Sequence, residues 1–277
     1  MKTYATLLCV VLLLGIASAG HCQWWWQGVM NLNTTARWAG MGATGIAAAN
    51  DAAAIDFNPA NLPRMQFDSA DMGGPLSWGG TATYGGGRYD DLSVKVGVVG
   101  DGGQWGAGLG YERPSGSGWH DNIYGLGFGA MGGPTWNWGV SATRDDWGSG
   151  RVTWYNVGVL CAIPQAQGAP IRVGLLVTNV MEEINHPRFY NLGVAVPVGE
   201  RILLAADYWD ITDEWESFLN FGAEVTVAPE WCVRGGRRDE SWTMGVGCRQ
   251  GRLSLDAAYY VSHSGDNQWM VSASSPF

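Results

Sequence analysis

Eight ionic residues, Lys95, Glu112, Arg172, Asp207, Glu224, Arg234, Arg249 and Asp256, recur at alternating positions in stretches otherwise made of Gly, Ala, aliphatic and aromatic residues. Four cations and four anions on one shared surface are suited to ion pairing, and a cation left over is suited to a carboxylate ligand. Charges taken out of water are costly unless paired. Two readings therefore stand side by side: an interior salt-bridge network that holds a neighbouring segment, and arginines that meet a carboxylate ligand. The run Gly127-Phe128-Gly129-Ala130-Met131-Gly132 fits G-x-G-x-x-G. It lies inside an alternating stretch with no following helix and no later ribose-binding acid, so glycines facing a crowded interior explain it better than a dinucleotide. His120, His186 and His263 fall in turn-rich stretches, with no Ser or carboxylate at the spacing of a hydrolytic triad. Surface histidines are the preferred reading. No catalytic residue, cofactor or metal site is assigned, and the chain reads as a non-enzyme.

The elements that must position the eight charges are strands. From Leu76 onward the apolar pattern has period 2, broken by turn signals, and fourteen segments result. They fall near 76–84, 91–99, 104–113, 121–131, 135–144, 151–163, 170–180, 189–198, 201–210, 216–228, 231–238, 241–249, 252–262 and 267–277. One face is apolar throughout, as in Leu92-Val94-Val96-Val98 and Leu253-Leu255-Ala257-Tyr259, whereas the other carries glycines, small polar residues and the eight charges. In a soluble sheet protein the apolar faces meet. In a transmembrane barrel they face lipid and the polar faces line a lumen, with strands of about 9 to 11 residues. Trp78, Tyr84, Trp105, Trp136, Trp209, Trp231 and Trp269 near strand ends read as interfacial girdles. Connections after odd-numbered strands read as longer than those after even-numbered ones, and none exceeds about eight residues. The even strand count puts both termini on the periplasmic side. The ending Trp269 to Phe277 resembles a terminal outer-membrane strand, whose last aromatic, here Phe277, is read by the barrel-assembly machinery.

Composition and the N-terminus agree with that compartment. Charged residues make up 15% of the chain, against about 25% in ordinary soluble domains. The net charge of −9 removes the basic footprint that a nucleic-acid partner requires. Residues 1–19 have the layout of a signal peptide: Lys2, an apolar run Leu7–Ile16, and Ala17-Ser18-Ala19. Residues 20–36 form a periplasmic N-terminal segment in which Gln23-Trp24-Trp25-Trp26-Gln27 reads equally as an interfacial anchor or as a disordered start. Of the later cysteines, Cys232 shares a face with Arg234 and Cys248 with Trp242, Met244 and Val246. Opposite faces preclude a cross-strand disulfide, so both are expected as free thiols.

Residues 37–63, RWAGMGATGIAAANDAAAIDFNPANLP, have no strand period, are rich in Ala and Gly, and end in Asn58-Pro59-Ala60. Pro59 holds Asn58 out of helical geometry and marks a turn. Inward glycines leave room for such a segment to approach the wall. The expectation is an all-β, 14-stranded antiparallel transmembrane outer-membrane β-barrel over 64–277, with an Ala/Gly-rich helical or irregular plug over 37–63 in its lumen.

Two ends of the chain carry a family resemblance. Arg37-Trp38-Ala39-Gly40-Met41-Gly42, Asn50-Asp51-Ala52 and Asn58-Pro59-Ala60-Asn61-Leu62 resemble the N-terminal signature of PorV/PorQ-type proteins and, more distantly, of FadL-type hydrophobic-compound transporters. Asn191-Leu192-Gly193, Leu204-Ala205-Ala206-Asp207, Gly222-Ala223-Glu224, Arg234-Gly235-Gly236 and Leu255-Asp256-Ala257-Ala258-Tyr259 are similar to those proteins' last strands. The resemblance implies a bacterial outer-membrane location, with the Asn58-Pro59-Ala60 segment as a lumenal hatch. Its first functional implication is a docking or shuttle component of type IX-like protein secretion, with secreted cargo or secretion subunits as partners. The alternative is FadL-like transport of hydrophobic small molecules through a plugged barrel, and the lower-ranked one a structural outer-membrane protein of no transport role; outer-membrane lipid is a partner in each.

Overall fold

A computed structural model describes residues 34–66, 75–86, 90–115, 122–147, 150–182, 187–212, 217–261 and 267–276. The candidate signal peptide, the Trp24–Trp26 run, Cys22, the three loop histidines and Phe277 lie outside the described residues.

The alternating segments form fourteen strands: β1 (Leu76–Gly86), β2 (Asp90–Gly100), β3 (Trp105–Ser115), β4 (Asn122–Gly133), β5 (Trp136–Trp147), β6 (Gly150–Ile163), β7 (Ile171–Thr178), β8 (Phe189–Val198), β9 (Ile202–Trp209), β10 (Phe218–Ala228), β11 (Trp231–Arg238), β12 (Ser241–Gln250), β13 (Leu253–Val261) and β14 (Gln268–Pro276). Each pairs antiparallel with its sequence neighbours, and β14 returns to β1 with Gly79 opposite Pro276 and Gly86 opposite Trp269, closing the barrel. Closure leaves no open edge, the condition for a sheet to stand in lipid. The start of β1 and the end of β14 share one rim, here the chain-end rim, while the connections after odd-numbered strands lie at the loop rim.

The two faces of the wall are inverted relative to a soluble protein. Leu109 (60% exposed), Leu126 (58%) and Trp242 (58%) point outward, while Thr81, Ser93, Asn156, Asn191 and Asn220 are buried on the inside. An apolar belt of this extent on a closed barrel is a lipid-facing surface.

The wall differs from expectation in two places. Trp209 is buried with Asp207 on the inward face and stacks on Phe218, so it is not part of an outer girdle. Its odd position in β9 fixes its direction, and alternation outweighs nearness to the strand end. Connection lengths also alternate less cleanly than the turn signals imply. The connection 179–188 is longer than the eight residues expected at most, and β5 and β6 are separated only by 148–149 although that connection follows an odd-numbered strand.

Inside the barrel lies the Ala/Gly-rich segment as two short helices, α1 (Ala36–Gly40) and α2 (Ala54–Phe57), and a 3-10 helix, η1 (Pro59–Arg64), joined by turns. The buried apolar core consists chiefly of this segment: Trp38, Met41, Ile46, the alanines 47–49 and 52–54, Ile55, Ala60 and Leu62, with Leu160, Leu176, Ala195, Ala205 and Trp209 from the wall.

Candidate functional site

A segment without strand period brings backbone polar groups into the lumen, and each of them needs a partner. Three fully buried side chains meet that need at one place. Asp207, on the inward face of β9, accepts the N–H groups of Gly45 (2.6 Å) and Ile46 (3.0 Å) through Oδ2. The Ile46 carbonyl in turn receives Nδ2 of Asn58 and Nδ2 of Asn61, both at 3.0 Å. Gly45–Ile46 is thus clamped between the wall and the end of its own segment.

Asn58 has a second task. The proline that follows holds it extended (φ −165°, ψ 109°), so its side chain folds forward and Oδ1 accepts the Ala60 N–H at 3.0 Å, capping η1 with Pro59 in the first turn. Its amide also donates to the Val159 carbonyl in β6 at 3.3 Å. Asn58 therefore ties two parts of the plug to each other and to the wall. Ala60 contributes its carbonyl, which accepts Nδ2 of Asn137 at 3.2 Å. Further wall-to-plug bonds run from the Ala36 N–H to Ser272 Oγ (2.7 Å) and from Thr243 Oγ1 to the Gly40 carbonyl (3.1 Å).

Wall glycines make this proximity possible. A methyl group on Gly106, Gly129, Gly139, Gly158 or Gly222 would run into plug atoms of Leu62, Pro59, Asn58 or Met41. Gly127 and Gly129 of the G-x-G-x-x-G run likewise face Leu62 and Pro59 across β4. Within the plug, Gly42 has φ +70° and lies against the carbonyls of Phe221 and Arg237, a conformation and a space that suit glycine alone.

The ionic residues divide into distinct groups. Arg37 of the plug grips Glu224 through two bonds, Nε to Oε2 at 3.0 Å and Nη2 to Oε1 at 2.9 Å, and donates to Asn50 Oδ1 at 2.8 Å. Glu224 also meets Arg234 Nε at 2.7 Å, and Arg234 Nη1 meets Asp256 Oδ1 at 2.7 Å. This gives a chain of alternating charge from plug to wall. A second tether joins Lys95 of β2 to Asp56 of α2 at 3.0 Å, with the buried Glu112 within electrostatic reach. Asp207 serves backbone N–H groups rather than a cation. Arg172 is half-buried near the start of β7, and Arg249 is exposed at the end of β12, where the barrel no longer encloses it. Its alternation is inward, but its position lies beyond the enclosed length of the strand.

Burial raises the carboxyls of both Asp51 and Asp56 in the plug above their ordinary range, Arg37 opposing this for Asp51 and Lys95 for Asp56. Asp51 also accepts Trp38 Nε1 at 2.9 Å and the Ala53 N–H at 2.9 Å. The plug's own Arg37, Asp51, Asp56 and Asn61 are thus site residues that alternation along the strands does not reveal. Their signal is rarity: Arg37, Asp51 and Asp56 are the ionic residues of residues 37–63.

Above the plug, toward the loop rim, apolar inward residues stand beside polar ones: Ile123 lies between Glu112 and Asp145, Val152 opposite Asp145, Trp154 opposite Thr143 and Phe189 opposite Thr178. Ile123, Val152, Trp154, Phe189 and Trp209 are each at most 9% exposed. Strand parity marks them, since each alternates with lipid-facing residues. Cys161, Cys232 and Cys248 are free; Cys232 lies opposite Gly247 and Cys248 opposite Trp231, so the two sulfurs leave opposite faces of the sheet. Among the described residues, no group of three or more His, Cys, Asp or Glu is arranged to hold a metal ion.

No protein-family model matches the chain, and no curated protein matches it. Solved structures do. The Pseudomonas putida toluene transporter TodX is similar over 89% of this chain and 99% of its own, at 13% identity and a TM-score of 0.56. A TodX deltaS2S3 mutant, a monoaromatic hydrocarbon channel, is similar over 88% of this chain and 98% of its own (11% identity, TM-score 0.51). The Acinetobacter baumannii outer membrane protein Omp33 is similar over 73% and 98% (10%, 0.51). At such identities the likeness is one of fold, that of outer-membrane barrels. The distant FadL-type resemblance thereby gains a structural counterpart in TodX, whereas the PorV/PorQ resemblance rests on sequence.

Proposed function

We propose that this protein is an outer-membrane channel for hydrophobic small molecules, gated by displacement of its lumenal plug. The observation that carries the reading is the plug itself. It fills the barrel, yet it is held by a countable set of polar tethers at Asn58, Asp207, Arg37 and Asp56 rather than by strand pairing. Such a segment can move while the wall stays closed. The inward aromatic and aliphatic residues above it, Trp154, Phe189, Trp209, Ile123 and Val152, give the loop-rim side of the lumen apolar surface among its polar groups. The fold likeness to TodX supports the same class of cargo. In this reading the loop rim faces outward, and the chain ends lie in the periplasm.

The transport reading takes precedence over the secretion reading because the described connections between strands are short, the longest running from 179 to 188, and offer little docking surface. Deleting residues 37–62 and measuring hydrophobic-compound uptake together with surface display of secreted proteins separates the two. Altered uptake with unchanged display supports transport. Lost display with unchanged uptake supports secretion, and no change in either assay removes both.

A further inference from the structure

Lys95 holds the plug through one carboxylate, while a second, beside it on the wall, is left without a hydrogen bond. The Lys95 ammonium meets Asp56 of α2 at 3.0 Å and donates to Ser93 Oγ at 3.0 Å. Ser93 stands directly opposite Glu112 of β3, and Lys95 opposite Gly110, so Lys95 and Glu112 are diagonal neighbours on the inner face of adjacent strands. Such positions are about 7–8 Å apart, within reach of a long side chain. Gly110 puts no side chain in the way; a methyl group there would meet Lys95 Cγ at 3.7 Å. Glu112 is 2% exposed, and neither of its carboxyl oxygens has a hydrogen-bond partner. Asp91, two residues from Ser93 along β2, and Asp145, two strands beyond Glu112, are both engaged in interactions of their own. Glu112 is therefore the idle carboxyl beside the lysine.

A buried carboxyl with both oxygens unsatisfied is unfavourable unless another state of the molecule uses it. We infer that Glu112 is the exchange partner of Lys95 in plug release. With the plug seated, Asp56 takes the ammonium and Glu112 stands bare. As α2 leaves with Asp56, the ammonium turns across Gly110 to Glu112, and the wall replaces the ion pair that release breaks. Removing one partner of a buried pair is costly because the other charge is left uncompensated; Glu112 lowers that cost. It is thus a positioning residue that favours release twice, by raising the energy of the seated state and by lowering that of the released one. The inference rests on the reading that the plug moves, and not on what passes it.

The test is a double-mutant cycle on the full-length protein in uncharged maltoside micelles: unmodified, E112Q, D56N and D56N/E112Q. Hydrogen exchange of peptides covering 51–57 is the readout, and heat-modifiable gel migration shows that each barrel is folded. With Asp56 present, E112Q removes the bare carboxyl from the seated state and the waiting partner from the released one, so exchange should slow about tenfold. In D56N the lysine turns to Glu112 while the plug is still in place. Taking that carboxylate away leaves a buried ammonium unpaired, so in the D56N background E112Q should speed exchange about tenfold. The reversal of sign is the signature of exchange. A carboxyl that is only costly to bury would slow exchange on replacement in both backgrounds, and one that only supports Lys95 would speed it in both. Any result other than the reversal overturns the inference. Exchange of 51–57 ahead of the strands but without the reversal leaves plug movement standing, whereas exchange only in step with the strands in all four proteins refutes plug movement as well.

Discussion

The plug should detach from its seat when Asn58 is replaced by Ala, while the barrel stays folded. The substitution removes the donor to the Ile46 and Val159 carbonyls and the acceptor of the Ala60 N–H. Ile46 keeps Asn61 as a donor, and Val159 retains its place in the β6 ladder, so the main losses are the cap of η1 and a buried N–H left bare. A lost cap costs about 1 kcal/mol. An orphaned buried donor costs about 1–3 kcal/mol, and a net hydrogen bond about 1 kcal/mol. Since the cap and the orphaned donor are the same bond, a total of about 3 kcal/mol is the appropriate figure, a change of about a hundredfold in the plug-released population. Native-state hydrogen exchange measures this directly. Peptides covering 45–65 should exchange about a hundredfold faster, whereas strand peptides from β3 to β6 stay protected. N58D separates the two roles of the side chain: it keeps an acceptor for Ala60 but presents oxygen to the Ile46 carbonyl, so it should loosen the plug at least as much as N58A. Unchanged exchange over 45–65 in N58A, or equal acceleration in the wall, refutes the assignment of Asn58 as the plug's anchor.

Three further outcomes follow from the same geometry. G139V places a branched side chain where the wall touches Pro59 and Ala60; it should expel η1 and raise the permeability of reconstituted vesicles to small solutes, with β-sheet circular dichroism unchanged. E224A leaves both Arg37 and Arg234 without their shared carboxylate and should cost about 3 kcal/mol of plug seating, read as faster exchange over 36–40, whereas E224Q should cost less. The Asp51 and Asp56 carboxyls have folded pKa values raised above the ordinary 3.8, so the seated plug binds protons more tightly than the released one. Seating should therefore strengthen as pH falls toward the acid range and weaken as pH rises through the raised values; after correction for intrinsic rates, exchange over 51–57 should slow as pH falls from neutral toward the ordinary carboxylate range, and D51N/D56N should flatten the profile.

The barrel was legible in the sequence because each strand residue's direction follows from a local rule. Alternation alone separates Leu109 from Gly108 and Val233 from Arg234, and it correctly places the thiols of Cys232 and Cys248 on opposite faces. Nearness to a strand end is a poorer guide: it points Trp209 to the lipid interface, whereas its parity with Asp207 puts it inside. Alternation also says nothing about depth, which is why Arg249 reads as a lumen charge and stands exposed beyond the enclosed barrel. The plug obeys no local rule at all. Asn58 and Pro59 announce a turn, but their partners at Ile46 and Val159 lie 12 and 101 residues away in sequence. The counter-charges of the lumen network lie in the plug, so strand-by-strand accounting finds Lys95 and Glu224 without finding Asp56 and Arg37. The physical link between the two halves of the molecule is the row of inward glycines. They contribute no side-chain contact to the wall, and glycine weakens a strand interior. Their recurrence along one face is explained by the backbone that must pass within van der Waals distance of it. A sheet that forgoes packing on its inner face at so many positions is shaped around a segment other than itself, and that segment is held by side chains that a single substitution can remove.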